Sequence, residues 1–175
     1  MGKRVPTTIT YLEMRAPPKR KAQPPTDVAA GRIAMLKLDK PPVQFYRYLY
    51  DLVGRDYLWV DRKRMTDAQL AAEIQDERVD IYVLYSSGAP AGYAELDFRN
   101  MPEAKLAYFG LGRDYIGRGL GSFLLGAAIG NLWAKKPERV LVQTCTLDHP
   151  RALAAYQRWG FQPFAQKDAF IETLD

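Results

Sequence analysis

The stretch Tyr115-Ile-Gly-Arg-Gly-Leu-Gly-Ser-Phe-Leu-Leu125 places Gly117, Gly119 and Gly121 ahead of an apolar, helix-like run. No Ser, Thr, Asp or Asn stands immediately before that run, where an N-cap would. The first turn of a helix leaves four backbone N–H groups without internal partners, and a capping side chain normally satisfies one of them. Here those donors stay open, and the helix dipole adds partial positive charge at the same spot. The chemistry this permits is the grip of a phosphate or pyrophosphate. A glycine-rich turn with no ligand has the same local composition, so the surrounding elements decide between the two.

Those elements belong to a chain of 175 residues with 47% hydrophobic composition, enough for one domain with a sizeable core. No run approaches eighteen apolar residues, and Met1-Gly-Lys-Arg-Val-Pro6 lacks a signal-peptide core, so no membrane association is expected. Cys145 is the only cysteine, which excludes an internal disulfide and any cysteine-based metal cluster; a cytoplasmic protein is expected. The net charge of +5 is concentrated in residues 1–32, where seven basic residues face Glu13 and Asp27. Residues 33–175 then carry eighteen charges of each sign, so no nucleic-acid partner is expected.

Taken in order, Thr7–Met14 suits a strand. Ala16–Pro25 follows, with four prolines and the cations Lys19, Arg20 and Lys21, a composition that favours extended, solvated backbone. Residues 1–31 therefore read as a basic, proline-rich arm, its strand an add-on, and residues 32–175 as the domain. Within it, Arg32–Leu38 is a strand, and Val43–Val53, between Pro41-Pro42 and Gly54, is a helix. Tyr46, Tyr50, Tyr57 and Trp59 form an aromatic surplus that either packs or lines a pocket. Thr66-Asp-Ala-Gln69 is a capping box opening a short helix. Val79–Tyr85 and Ala91–Phe98 form a hairpin, Lys105–Leu111 a third strand, and Leu120–Ala134 a helix apolar nearly all round. Arg139–Leu147 is a strand with Cys145 as a small core residue, His149–Gly160 a helix, and Phe161 opens a last extended region. The order β-α-α-β-β-β-α-β-α-β, after an extra N-terminal strand or arm, defines an α+β class with one strand–helix–strand crossover.

At this point the chain resembles the GNAT superfamily of acyl-CoA-dependent N-acetyltransferases. That family's phosphate loop, (Arg/Gln)-x-x-Gly-x-(Gly/Ala), falls on Ile116-Gly-Arg-Gly-Leu-Gly121, matching at the last two positions and departing at Ile116. Its Asn-x-x-Ala-x-x-x-Tyr-x-x-x-Gly-Phe helix falls on His149, Ala152, Tyr156, Gly160 and Phe161, with histidine in place of asparagine. The resemblance covers roughly residues 32–165 and implies a mixed, mostly antiparallel sheet flanked by helices. It implies acetyl-CoA as cofactor and a primary amine as acceptor, with direct attack in a ternary complex. Ile116, Gly117, Arg118, Gly119, Leu120, Gly121 and Ser122 would hold the pyrophosphate, Arg118 adding a charge-assisted contact. Backbone around Phe109 and Leu111 would pair with the pantetheine arm, to which His149 and Tyr156 also reach. As the only histidine, His149 invites a role as base, but its place at a helix start fits capping or cofactor contact.

A lysine-like amine has a pKa of about 10.4 and must lose a proton before attack. Glu95, then Asp97, are the candidate acceptors of that proton; an exposed strand face is the other reading of both. Tyr156 is the candidate donor to the leaving thiolate, or else a buried structural tyrosine. No metal site is expected, and a dimer is compatible with the sequence. A non-catalytic acyl-CoA-binding or regulatory module on the same fold is the alternative function. A dinucleotide fingerprint fails because its third glycine position falls on Ser122, and no G-K-[ST] is present for a P-loop.

Overall fold

The computed structural model describes residues 2–25 and 32–175. Residue 31, where the sequence ends the arm, lies outside the described residues. Seven strands form one sheet: β1 (Arg4–Met14), β2 (Ile33–Lys37), β3 (Val79–Ser86), β4 (Ala89–Asn100), β5 (Glu103–Leu111), β6 (Arg139–Cys145) and β7 (Gln162–Glu172). Four α-helices flank it: α1 (Val43–Gly54), α2 (Asp67–Ile74), α3 (Leu120–Ala134) and α4 (Ala152–Trp159). The strand order is β2-β3-β4-β5-β6-β1-β7, and every pairing is antiparallel except β5 with β6. This is the α+β order expected, extra N-terminal strand included.

Alternation along the strands feeds two apolar layers. Val79, Ile81, Val83 and Tyr93 meet Tyr46, Leu49, Tyr50 and Val53 of α1 and Leu70 and Ile74 of α2 on one face. Ala94, Leu96, Leu106, Val140 and Val142 meet α3 and α4 on the other. Burying each such Leu or Val stabilises by roughly 1.5–3 kcal/mol relative to exposure. The predicted capping box opens α2, with Thr66 Oγ1 accepting from Gln69 N at 3.2 Å and Gln69 Oε1 accepting from Thr66 N at 2.9 Å. Helix α3 is buried at Leu120, Leu124, Leu125, Ala128, Ile129 and Leu132, and Gly126 leaves room for the Trp159 ring, which would lie 2.4 Å from a Cβ there.

Four expectations are corrected. Strand β1 is no add-on: it lies inside the sheet, antiparallel to β6 on one edge and β7 on the other, with Leu12 and Met14 in the core. Buried apolar residues and two satisfied edges outweigh its separation in sequence by the proline-rich segment. Strand β6 ends at Cys145, not Leu147, because Asp148 folds back to accept from the Cys145 N–H at 3.0 Å. Cys145 is accordingly half-buried at a cleft wall rather than mid-strand in the core. Helix α4 starts at Ala152, the preceding turn being closed by His149.

Candidate active site

The parallel pair β5–β6 is bonded at only three positions, Glu103 with Arg139, Ala104 with Val140 and Lys105 with Leu141. Beyond Lys105 the strands part, and β5 from Leu106 to Leu111 has no β6 partner. On its other edge β5 stays paired to β4, but Glu95 faces Tyr108 while Leu96 faces Leu106, so Ala107 is an extra residue. Such a bulge bends the strand and increases its twist. The result is a cleft of about 1140 Å³ whose wall includes β5 from Lys105 to Leu111 and the end of β6. Unpaired strand N–H and C=O groups are obligatory hydrogen-bonding groups, so an extended, amide-bearing ligand fits this edge.

At one end of the cleft stands the glycine stretch. A 3-10 turn, Arg113–Tyr115, leads through extended Ile116 to Gly117 and Gly119, whose φ values are +89° and +77°. Nothing lies within 4 Å of a Cβ on either, so backbone conformation rather than space demands glycine. Gly119 is the N-cap of α3 and makes no side-chain cap. The first-turn donors therefore face the cleft, which Ile116, Gly117, Gly119, Gly121 and Ser122 line. Leu120 points into the core, and the Arg118 guanidinium stands 5.7 Å over the Tyr115 ring, outside the cleft lining.

Tyr156, on α4, is buried between Phe109 and Phe161, with ring centroids 6.2 and 5.9 Å away. Burial, then the Asp148 carboxylate, raises its pKa, so the phenol keeps its proton. It lines the same cleft as Phe109 and Leu111. His149 also lines it, but its Nδ1 accepts from Arg151 N at 3.1 Å and its carbonyl from Ala152 N at 2.9 Å. These contacts close the turn before α4 and engage one ring nitrogen.

Another part of the cleft wall is aromatic. Tyr50, Trp59 and Tyr108 form a triangle with centroid separations of 5.2–5.4 Å, and all three line the cleft, as does Tyr57. Tyr46, by contrast, is fully buried packing. Trp59 Nε1 donates to Asp148 Oδ1 at 3.3 Å, and Asp148 Oδ2 accepts from Thr144 Oγ1 at 2.8 Å.

The structure separates the two carboxylates predicted on β4. Glu95 is 1% exposed, so the reading of both residues as an exposed strand face fails for it. Its Oε2 accepts from Arg62 Nη2 at 2.7 Å and its Oε1 from the Tyr46 hydroxyl at 2.6 Å. Burial raises the Glu95 pKa and outweighs the lowering by Arg62 and Tyr46. Glu95 does not line the cleft; Asp97 does. Burial also pulls Asp97 upward, but Arg99, bidentate at 3.0 and 2.8 Å, holds it below the ordinary value. Arg99 in turn reaches Glu73 at 2.7 Å.

Arg62 and Asp148 are site residues that sequence reasoning missed. Arg62 sits in the run Arg62-Lys-Arg64, which reads as a solvated surface, yet it is 6% exposed beneath Tyr46 and Tyr108. Asp148 stands beside His149 with no periodicity to mark it. Its one sequence signal is the four-residue spacing from Thr144, whose hydroxyl donates to it at 2.8 Å.

The sequence model of the acetyltransferase (GNAT) family matches residues 46–161, more than half of the chain. The chain belongs to this family. No curated protein matches it in sequence. Its fold is similar to that of a GCN5-related N-acetyltransferase from Sphaerobacter thermophilus, with a TM-score of 0.66 at 16% identity over 100% of this chain and 54% of that one. It is also similar to a tandem GNAT protein from the clavulanic acid biosynthesis pathway, at 0.63 and 18% over 97% and 55%. A third similar structure is an aminoglycoside acetyltransferase from an uncultured soil metagenomic sample in complex with sisomicin, at 0.61 and 15% over 75% and 89%. The chain thus spans about half the length of the first two, and at these identities the likeness is one of fold.

Proposed function

We propose that the protein is an acetyl-CoA-dependent N-acetyltransferase acting on a primary amine by direct attack in a ternary complex. One observation carries this reading: the unpaired β5 edge, the uncapped α3 N-terminus and the Tyr156 phenol all face a single cleft. These features fit the two ends of an acyl-CoA, amide-rich at one and phosphate-bearing at the other. When bound, acetyl-CoA supplies an acetyl thioester.

The loop N–H groups from Gly117 to Ser122 would hold the pyrophosphate, and the main chain at Phe109 and Leu111 the pantetheine. A main-chain N–H on β5 would polarise the thioester carbonyl. We assign proton acceptance from the amine to Asp97, directly or through water, because it alone of the two β4 candidates reaches the cleft. Glu95 becomes a positioning residue, fixing Arg62 beneath Tyr108 and accepting from the Tyr46 hydroxyl. Tyr156, whose phenol keeps its proton, would supply that proton to the thiolate that leaves as the amine takes the acetyl group. The cationic amine is met by Tyr50, Trp59 and Tyr108, whose ring faces attract positive charge. No helix among the described residues is long and apolar enough to cross a membrane, and a cytoplasmic setting belongs to the proposal.

Isothermal titration tests the cofactor assignment. Acetyl-CoA should bind at one site per chain and NAD should not; binding of NAD alone would overturn the reading.

A further inference from the structure

The basic N-terminal segment finds no role in the site described so far, yet its described part is not free in solution. After β1 the chain crosses the helical face, and Ala22 packs against the apolar layer of α3 and α4. Its Cβ would lie 2.8 Å from a Cβ on Gly126, so the glycine admits the segment against α3. Two residues earlier, Arg20 stacks on Trp159 of α4, its Cζ 4.5 Å from the ring centroid. Its Nη2 lies 3.4 Å from Oγ of Ser122, in the first turn of α3. Arg20 therefore stands on the cleft wall beside the open N–H groups of the glycine loop.

Among the described residues neither Arg20 nor the two α4-side cations that line the same stretch, Arg151 and Arg158, makes an ion pair. A guanidinium has five N–H donors, and the long contact to Ser122 engages one nitrogen. Stacking on Trp159 fixes the plane of the fork, which lowers the entropy lost when an anion docks. An arginine held at the first turn of an uncapped helix, with Arg151 and Arg158 lining the same cleft, offers charge for more than one phosphate group.

We propose that Arg20, carried in by the proline-rich segment, binds the phosphorylated nucleotide end of coenzyme A together with Arg151 and Arg158. The arm is then a part of the cofactor site that the loop motif does not contain. It also compensates for Arg118, which the fold turns away onto Tyr115. This inference rests on the acetyl-CoA reading above.

The test is calorimetric titration of the full chain and of Arg20→Ala with coenzyme A, adenosine 3′,5′-bisphosphate and pantetheine. Arg20 is exposed, so the variant should keep the wild-type melting temperature. Losing one charge-assisted contact should weaken coenzyme A and the bisphosphate about tenfold and leave pantetheine unchanged. Arg20→Lys should lose less, and Arg20→Ala should show a shallower fall of affinity with salt. Equal affinities for coenzyme A in wild type and Arg20→Ala would overturn the role of the arm alone. So would tighter binding by the variant, which would make the arm an obstruction, or an equal loss for pantetheine. Failure of the wild type to bind coenzyme A would instead overturn the reading of the cleft, and the arm's role with it.

Discussion

Replacing Arg62 by methionine should be among the most destabilising single changes in this protein. The guanidinium is 6% exposed and Glu95 is 1% exposed, and they meet at 2.7 Å. Removing one partner leaves a buried carboxylate with only the Tyr46 hydroxyl, at 2.6 Å, to stabilise it. Breaking such a pair costs about 3–5 kcal/mol. In a domain of this size each kcal/mol lowers Tm by about 2–4 °C, so the fall should be roughly 6–20 °C. The double variant Arg62→Met/Glu95→Gln should recover a substantial part, because an amide at position 95 needs no counter-ion. The pH dependence has a definite sign. Burial already places the folded-state pKa of Glu95 above its ordinary value, and losing Arg62 removes the largest opposing influence. A raised carboxyl pKa gives stability that is present below the unfolded value and lost as pH rises through the folded one. The deficit of Arg62→Met should therefore be smaller at pH 5 than at pH 8. Thermal melts of wild type, Arg62→Met, Glu95→Gln and the double variant at both pH values measure these quantities. A loss below about 1 kcal/mol, or a deficit that grows on acidification, would refute the view of Arg62 as the buried counter-ion of Glu95.

Three further substitutions probe the chemistry. Gly119→Glu places a side chain at φ +77° and a negative charge at the proposed phosphate cradle; acetyl-CoA affinity should fall more than tenfold, and calorimetry showing wild-type affinity would sink the loop assignment. Tyr156→Phe removes the phenolic proton but keeps the ring between Phe109 and Phe161, so kcat should drop far more than cofactor affinity, and unchanged turnover would exclude it as the acid. Asp97→Asn should lower kcat/KM about 10²–10⁴-fold with little change in Tm; if Asp148→Asn does this instead and Asp97→Asn does not, the proton acceptor lies on the other wall.

Much of the fold was legible because its cues are local. The Thr66–Gln69 box, the prolines before α1 and the apolar run of α3 each state their element within a few residues. The glycine loop was legible for the same reason, since a left-handed Gly117 and Gly119 leave a mark in composition. The place of β1 was not, because sheet order depends on pairing with β6 and β7, more than a hundred residues away. Glu95 and Asp97 stand two apart on β4, which puts both on one face of the strand. What separates them is Arg62, delivered from a short 3-10 turn by packing of Tyr46 and Tyr108, which no spacing in the sequence encodes. Arg20 escaped notice for a related reason: composition showed a solvated arm, whereas Ala22 and Trp159 pin it to the helices.

The central claim is that this cleft moves an acetyl group rather than merely holding its carrier. Thiol release from acetyl-CoA, followed with a panel of primary amines, tests it most directly. The account predicts that at least one amine accelerates release, with one acetylated amine formed per thiol freed. Binding of acetyl-CoA without amine-dependent release across small amines, peptide N-termini and lysine side chains would contradict it, leaving a binding module on a transferase fold.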